Sequence, residues 1–260
     1  MMCNEPTRIL FIQGFATCRN ELDCDDYANI RLFFKGNPQF CVDFLEYDTH
    51  ESVSSVDLRI RDQIDQLKPS ILIGHSMGGY FVFNHIRRVV RNMTESSTYR
   101  GYIPSRIILL MPFLEASPLL ETIVSLKLPS FIIDRLNIPL GLILPASQSH
   151  DRGNIMNTPF NPICFKQPIQ ITQYLPTPND ILQVFGTTIS DVQVMFSTDE
   201  VVTKISNTII SSIPKEKIKY VYGKHSAFRS QKTNFFEVFE KMIESTTLQV
   251  NDITNVRTNE

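Results

Sequence analysis

Several features that would identify other classes of protein are missing from this sequence of 260 residues. Its formal net charge is −2 and it contains no block of Lys or Arg, so nothing indicates a nucleic-acid-binding surface. His, Cys and acidic residues are not clustered at metal-ligand spacing, and we expect neither a metal ion nor another cofactor. Glycine is scarce, and three of the 10 glycines lie between positions 74 and 79, so this short segment stands out.

Disulfide, secretion and membrane signals are also missing. The five cysteines are an odd set without a C-x-x-C pair, which favours reduced thiols in an intracellular compartment. The polar segment Met1 to Arg8 does not resemble a signal peptide. The most apolar later stretch, Leu136 to Ala146, contains two prolines and is too short to span a bilayer. We expect a cytoplasmic protein without stable membrane insertion, and the sequence makes no prediction of its oligomeric state.

Short apolar runs alternate with helical periods through most of the chain. The clearest helix, 52–67, has apolar residues at intervals of 3, 4, 4 and 3, and Pro69 follows its end. The six predicted strands are 8–15, 40–47, 70–74, 106–113, 191–196 and 217–222. Such alternation predicts an α/β fold with a doubly wound, mainly parallel sheet. Sheets of this kind place their chemistry at the carboxyl ends of the strands.

The alternation is lost between residues 116 and 190. Nine of the 15 prolines fall between Pro118 and Pro178, and they separate short apolar pieces. A disordered linker would not hold so many Leu, Ile and Phe residues, so we predict an inserted cap of helices and loops. The predicted organisation is a core of residues 1–115 and 191–244, a cap of 116–190 and a flexible tail of 245–260.

The glycine-rich segment Gly74-His75-Ser76-Met77-Gly78-Gly79 follows a predicted strand and precedes an apolar helix. This is the context of a nucleophile elbow, G-x-S-x-G. A sharp turn would hold Ser76 at the strand end in a strained backbone conformation, and the glycines would allow neighbouring backbone to approach without a Cβ clash. Ser76 is therefore the candidate nucleophile.

On these residues the chain resembles the α/β-hydrolase superfamily. The resemblance also includes Gln13-Gly14-Phe15, the segment STDEVV at 197–202 and Gly223-Lys224-His225, in the family's order. It extends from residue 8 to about residue 244 and implies hydrolysis of an acyl bond without a cofactor. The family's sheet has eight strands, so the six found here imply that the initial antiparallel hairpin is missing.

A serine hydroxyl needs a neighbouring base, and five histidines are available. Only His225 follows the last strand, which is the position that the family order Ser, acid, His requires. The side chain of His75 should point away from the hydroxyl of its neighbour, and His85 lies within the apolar helix.

The acid must orient and stabilise the imidazole. Asp199 lies just beyond the strand DVQVMF, whereas Asp191 starts that strand and should lie at the opposite edge of the sheet. We favour Asp199. Glu115 remains the alternative, because some family members place the acid after the preceding strand.

The resemblance also implies two backbone donors for an oxyanion. One is the N–H that follows the nucleophile, here Met77. The other lies in the loop after the first strand, where we predict Phe15, with Ala16 as the alternative. Gln13 replaces the histidine of many relatives, which does not remove the backbone donor.

The cap is expected to supply an apolar acyl-binding pocket. The candidate lining residues are Leu119, Ile123, Phe131 and Leu142. The predicted activity is a serine hydrolase acting on a small-molecule carboxylic ester. A thioesterase or amidase with the same triad remains an alternative, as does a non-catalytic ligand-binding protein on the same fold.

Overall fold

The computed structural model describes residues 5–15, 27–48, 51–95, 101–116, 118–129, 132, 137–139, 162–164, 166–199, 205–229 and 234–244. Its strands are β1 (Thr7–Ile12), β2 (Phe40–Leu45), β3 (Ile71–His75), β4 (Arg106–Leu110), β5 (Asn137–Pro139), β6 (Pro162–Cys164), β7 (Asp191–Ser197) and β8 (Ile218–Val221). Six of them form one sheet in the order β2-β1-β3-β4-β7-β8, and every neighbouring pair is parallel. The predicted α/β sheet is therefore confirmed, and β5 and β6 form a separate antiparallel pair that the sequence did not predict.

The apolar runs form central strands because both faces of the sheet are covered. Every residue of β3 and β4 is buried, as expected for strands with neighbours on each side. Successive side chains point to opposite faces, so Leu72 belongs to one core cluster whereas Ile71 and Ile73 belong to the other.

Helices cover both faces of the sheet. They are α1 (Ala28–Lys35), α2 (Val53–Leu67), α3 (Met77–Glu95), α4 (Pro118–Ser125), α5 (Lys166–Thr172), α6 (Pro178–Phe185), α7 (Asn207–Ser211) and α8 (Phe235–Glu244). Apolar residues of α2, α3 and α6 form one cluster, and those of α1 and α8 form the other. This arrangement is the doubly wound one that the alternation predicted.

Helix α6 lies inside the interval predicted as the cap, yet it packs in the core. Its Ile181, Val184 and Phe185 are buried in the same cluster as residues of α3 and β7. A capping box between Thr177 and Asp180 starts this helix. The polypeptide thus returns to the core layer before β7 begins, and the cap boundaries 116–190 as a whole stay a prediction.

Candidate active site

Ser76 occupies a strained turn between β3 and α3. Its φ is 55°, a left-handed value that non-glycine residues rarely adopt. The turn is held on both sides, because Ser76 N–H donates to the Leu110 carbonyl at 2.9 Å and its own carbonyl accepts from Phe113 N–H at 2.9 Å. The predicted elbow geometry is therefore present, with Ser76 at the carboxyl end of a central strand.

The glycines of the elbow are required by close backbone packing. A Cβ on Gly78 would lie 2.3 Å from the Gln13 carbonyl oxygen and 2.4 Å from that of Ile12, where β1 ends. A Cβ on Gly74 would lie 2.6 Å from the Gly78 carbonyl oxygen. All three distances are far below van der Waals contact, so α3 can begin this close to β1 and β3 only without these side chains.

The loop after β1 lies directly beside Ser76. A Cβ on Gly14 would be 3.1 Å from the Ser76 Cβ, so the backbone that leads into Phe15 runs next to the elbow. Met77 is the first residue of α3, and the first N–H groups of a helix have no partner within the helix. These are the two positions predicted to donate to an oxyanion. Ala16 lies outside the described residues.

His225 lies beyond the end of β8 and contacts the elbow at His75. Its carbonyl oxygen is 3.2 Å from His75 Nε2, and the two imidazole rings are 4.9 Å apart between centroids. His225 is half-buried. The structure therefore brings the His225 segment to the residue that precedes Ser76, although 150 positions separate the two histidines in the chain.

The two candidate acids occupy different environments. Asp199 donates its backbone N–H to the Gly223 carbonyl at 3.0 Å, which places it beside the turn that leads to His225. Its side chain is exposed. The carboxylate of Glu115 instead accepts the Ser206 N–H at 2.5 Å and so holds the start of α7. Asp191 lies at the opposite edge of the sheet, bonded to Lys217 at 2.6 Å.

The side-chain bonds of a closed triad are not formed in this structure. Within the described residues, the Ser76 hydroxyl and the Asp199 carboxylate have no hydrogen-bond partner. Hydrogen bonds of this type often tighten only when substrate is bound. The structure thus assembles the backbone segments that carry the three predicted residues, and the triad itself stays a prediction.

Of the predicted pocket residues, Ile123 has a described environment. It packs against a small apolar cluster of Leu120 and Ile169, which also contacts Phe15 and Phe113. Ile123 therefore lies in the same apolar cluster as the loop beside Ser76. Leu119 lies in α4, but its side chain is outside the described part, as are Phe131 and Leu142. The lining role of all four stays a prediction.

Sequence reasoning missed Tyr27, whose side chain is buried beside the elbow. Its hydroxyl is 2.7 Å from the Gly14 amide nitrogen and 2.8 Å from His75 Nδ1. No local motif marks this residue, since it only precedes a helix on the far side of the sheet. His85, by contrast, is a core residue of α3, and burial lowers its pKa to about 4.

The described residues contain no group of three or more His, Cys, Asp or Glu residues that could hold a metal ion. None of the described helices has the length and apolar character needed to cross a membrane.

Comparison with known proteins places this architecture among the α/β hydrolases. An α/β hydrolase enzyme from the metagenome of lagoon sediments at Mar Chica, Morocco, superposes with a TM-score of 0.56 at 11% identity, over 93% of this chain and 92% of that one. A hydrolase from Oleispira antarctica gives a TM-score of 0.56 at 13% identity, with 92% and 91% covered. A thermophilic esterase from Thermogutta terrifontis gives 0.55 at 13% identity, with 93% and 90% covered.

No protein-family model and no curated protein sequence matches the chain. The structural likeness extends over nearly the whole chain, at identities that establish the fold alone. The protein therefore has the α/β-hydrolase fold, and the resemblance predicted from the sequence is confirmed at that level.

Proposed function

We propose that this protein is a serine hydrolase that cleaves a carboxylic ester through an acyl-enzyme. The observation that carries the proposal is Ser76 itself. A serine with a φ of 55° at the end of a central parallel strand, beside the first turn of a buried helix, is costly to maintain. Backbone strain of this kind is typical of catalytic nucleophiles, because it exposes the hydroxyl to substrate.

In the proposed reaction, His225 removes the proton from Ser76, which attacks the ester carbonyl carbon. The N–H groups of Phe15 and Met77 hold the resulting oxyanion, and each such donor lowers the barrier by about 3 kcal/mol. His225 then protonates the leaving alcohol. Water, deprotonated by the same imidazole, releases the acid and restores Ser76.

Three observations support the placement of these roles. The Gly14 backbone lies against Ser76, so the next residue, Phe15, is near the reacting centre. The His225 carbonyl is bonded to the residue before Ser76, and its imidazole centroid is 4.9 Å from that of His75, so the proposed base lies next to the residue that precedes Ser76. Asp199 remains the proposed acid, because its backbone is bonded to Gly223 while Glu115 is already occupied by Ser206.

An apolar acyl group is proposed because Ile123 and its cluster adjoin Phe15. The residues 116–190 would then form the cap that encloses this group. The structurally similar protein from Thermogutta terrifontis is an esterase, which supports an ester over a thioester or amide. A panel of acyl esters, thioesters and amides will identify the bond that is cleaved. A cytoplasmic location stays a prediction.

The central test is covalent labelling by a fluorophosphonate, followed by turnover of a test ester. We expect labelling of Ser76 in the parent, and a loss of about a million-fold in kcat for Ser76→Ala. Ser105→Ala is the matched control, because that hydroxyl lies at the opposite edge of the sheet, bonded to the Ser70 carbonyl. Failure of the parent to label would favour a ligand-binding protein, and an active Ser76→Ala variant would exclude this nucleophile.

A second pair of variants separates the two acids. Asp199→Asn should lower kcat by roughly 10⁴-fold, since the imidazole would lose its orienting charge. Glu115→Gln should leave kcat within about tenfold and should lower thermal stability, because a neutral amide holds the Ser206 N–H less strongly. The opposite ranking of the two kcat values would transfer the acid role to Glu115.

A further inference from the structure

A continuous set of hydrogen bonds joins the two backbone segments on either side of Ser76. The Gly14 N–H donates to the Tyr27 hydroxyl at 2.7 Å. The same hydroxyl is 2.8 Å from His75 Nδ1, and His75 Nε2 is 3.2 Å from the His225 carbonyl oxygen. Tyr27 is 2% exposed and His75 is 4% exposed, so these bonds are formed away from bulk water.

The chemistry of the partners determines where the protons lie. A carbonyl oxygen only accepts, so His75 Nε2 must carry a hydrogen to bond to His225. In a neutral imidazole the other nitrogen is then an acceptor, so the Tyr27 hydroxyl donates to Nδ1. The oxygen of Tyr27 remains able to accept the Gly14 N–H. In this neutral form of His75, every member of the set has a defined donor or acceptor role.

Packing keeps this set in place. The Tyr27 ring stacks on Phe228 with centroids 5.2 Å apart, and Phe228 also contacts the His75 ring edge-on at 5.0 Å. The side chain of Asn29 donates to the Phe228 carbonyl at 3.0 Å. The segment that carries His225 is therefore attached to the start of α1 by contacts independent of His75.

We propose that Tyr27 and His75 are positioning residues. They hold the loop after β1, at Gly14, and the His225 segment at a fixed separation around Ser76. This role rests on the proposed function. Neither side chain reacts with substrate. They act through the backbone of Gly14, which leads into Phe15, and through the backbone of His225.

The first test is the Tyr27→Phe variant, which removes only the hydroxyl. We expect kcat per labelled Ser76 to fall roughly tenfold, because one buried hydrogen bond sets the loop geometry. KM should stay within about twofold, since Tyr27 is 2% exposed and its hydroxyl is bonded to Gly14 and His75. A purely structural role would lower the melting temperature and leave kcat per labelled site unchanged.

Tyr47→Phe is the matched control. Tyr47 is 5% exposed, and within the described part of the chain its hydroxyl has no hydrogen-bond partner. Its removal should leave kcat and KM at the parental values. A parental kcat in both tyrosine variants would overturn the positioning role.

The second test does not depend on turnover. The ¹⁵N chemical shifts of His75 in the parent should show a neutral ring protonated at Nε2. In Tyr27→Phe the Nδ1 resonance should move while the Nε2 proton is retained. A parent in which His75 carries its proton on Nδ1, or on both nitrogens, at neutral pH would overturn the network. A parent with the expected tautomer that neither labels nor turns over esters would instead refute the proposed function, and with it the catalytic purpose of the network.

Discussion

Acid should destabilise this protein through His85, whose imidazole is buried in α3. The residue is 4% exposed, and within the described residues neither ring nitrogen has a hydrogen-bond partner. Burial is the main reason that its pKa is lowered from 6.5 to about 4. The positive charge of Arg88 acts in the same direction and Asp57 opposes it. The folded state therefore keeps this imidazole neutral, whereas the unfolded chain takes up a proton near pH 6.5.

The direction of this pH dependence follows from the linkage between proton binding and folding. Because the folded pKa is lower than the unfolded one, the stability is fully present above about pH 6.5 and is lost as the pH falls towards 4. With these two values, the loss between about pH 7.5 and pH 5 is on the order of 2 kcal/mol. Asp57 adds little in this window. Although burial opposes its ionisation, its hydrogen bonds to Arg88 hold the pKa of this carboxyl below its usual range.

The assay is urea unfolding at several pH values and constant ionic strength, with the parent, His85→Leu and Ile86→Val. His85→Leu removes the titrating group, so its stability should decline by about 2 kcal/mol less than that of the parent over this range. Ile86 is 0% exposed on the same helix, and its truncation should cost about 1 kcal/mol at every pH. Parallel declines of the parent and His85→Leu would show that His85 does not cause the loss of stability in acid.

Two further pairs of variants test the packing and the charges. Gly78→Ala should destabilise the fold by roughly 2 kcal/mol or more in thermal unfolding, because its Cβ would meet the Gln13 carbonyl at 2.3 Å. Gly36→Ala, whose Cβ would have only ordinary contacts from 3.5 Å, should instead stabilise by about 0.5 kcal/mol, and a similar loss in both would contradict the steric argument. Arg106→Met should cost about 3 kcal/mol in chemical unfolding, because the buried guanidinium donates to the Met242 carbonyl at the end of α8 and pairs with Asp191 at 3.0 Å. Lys217→Met should cost less than about 1 kcal/mol, because water can solvate the Asp191 carboxylate that loses this partner. An equal cost for the two substitutions would show that burial of the cation does not determine the loss of stability.

Much of the candidate site could be predicted because its signals are local. The elbow needs a strand, a turn with glycines and a helix, and these six residues are contiguous in the chain. The steric demand of the turn is also short-range, since Gly74 is restricted by the Gly78 backbone four positions later. The six sheet strands were predictable for the same reason, because buried parallel strands require continuous apolar runs.

The interval 116–190 was harder to interpret. Its prolines indicate interrupted structure and favour the prediction of one inserted unit. Pro178, however, occupies the first turn of α6, where a missing N–H costs nothing. The apolar side of this helix then packs on α3, which a count of prolines does not predict.

The six strands of the main sheet, their order and the turn that makes Ser76 the candidate nucleophile can be predicted from the sequence, because strand and helix periods and the glycine turn depend on neighbouring residues. Which distant groups meet at this turn depends on the tertiary packing. It brings Tyr27 and the His225 carbonyl to opposite sides of the His75 ring, and it directs Glu115 to α7. Such contacts depend on how elements pack across the sheet, and no spacing along the chain encodes a hydrogen bond between residues 150 positions apart.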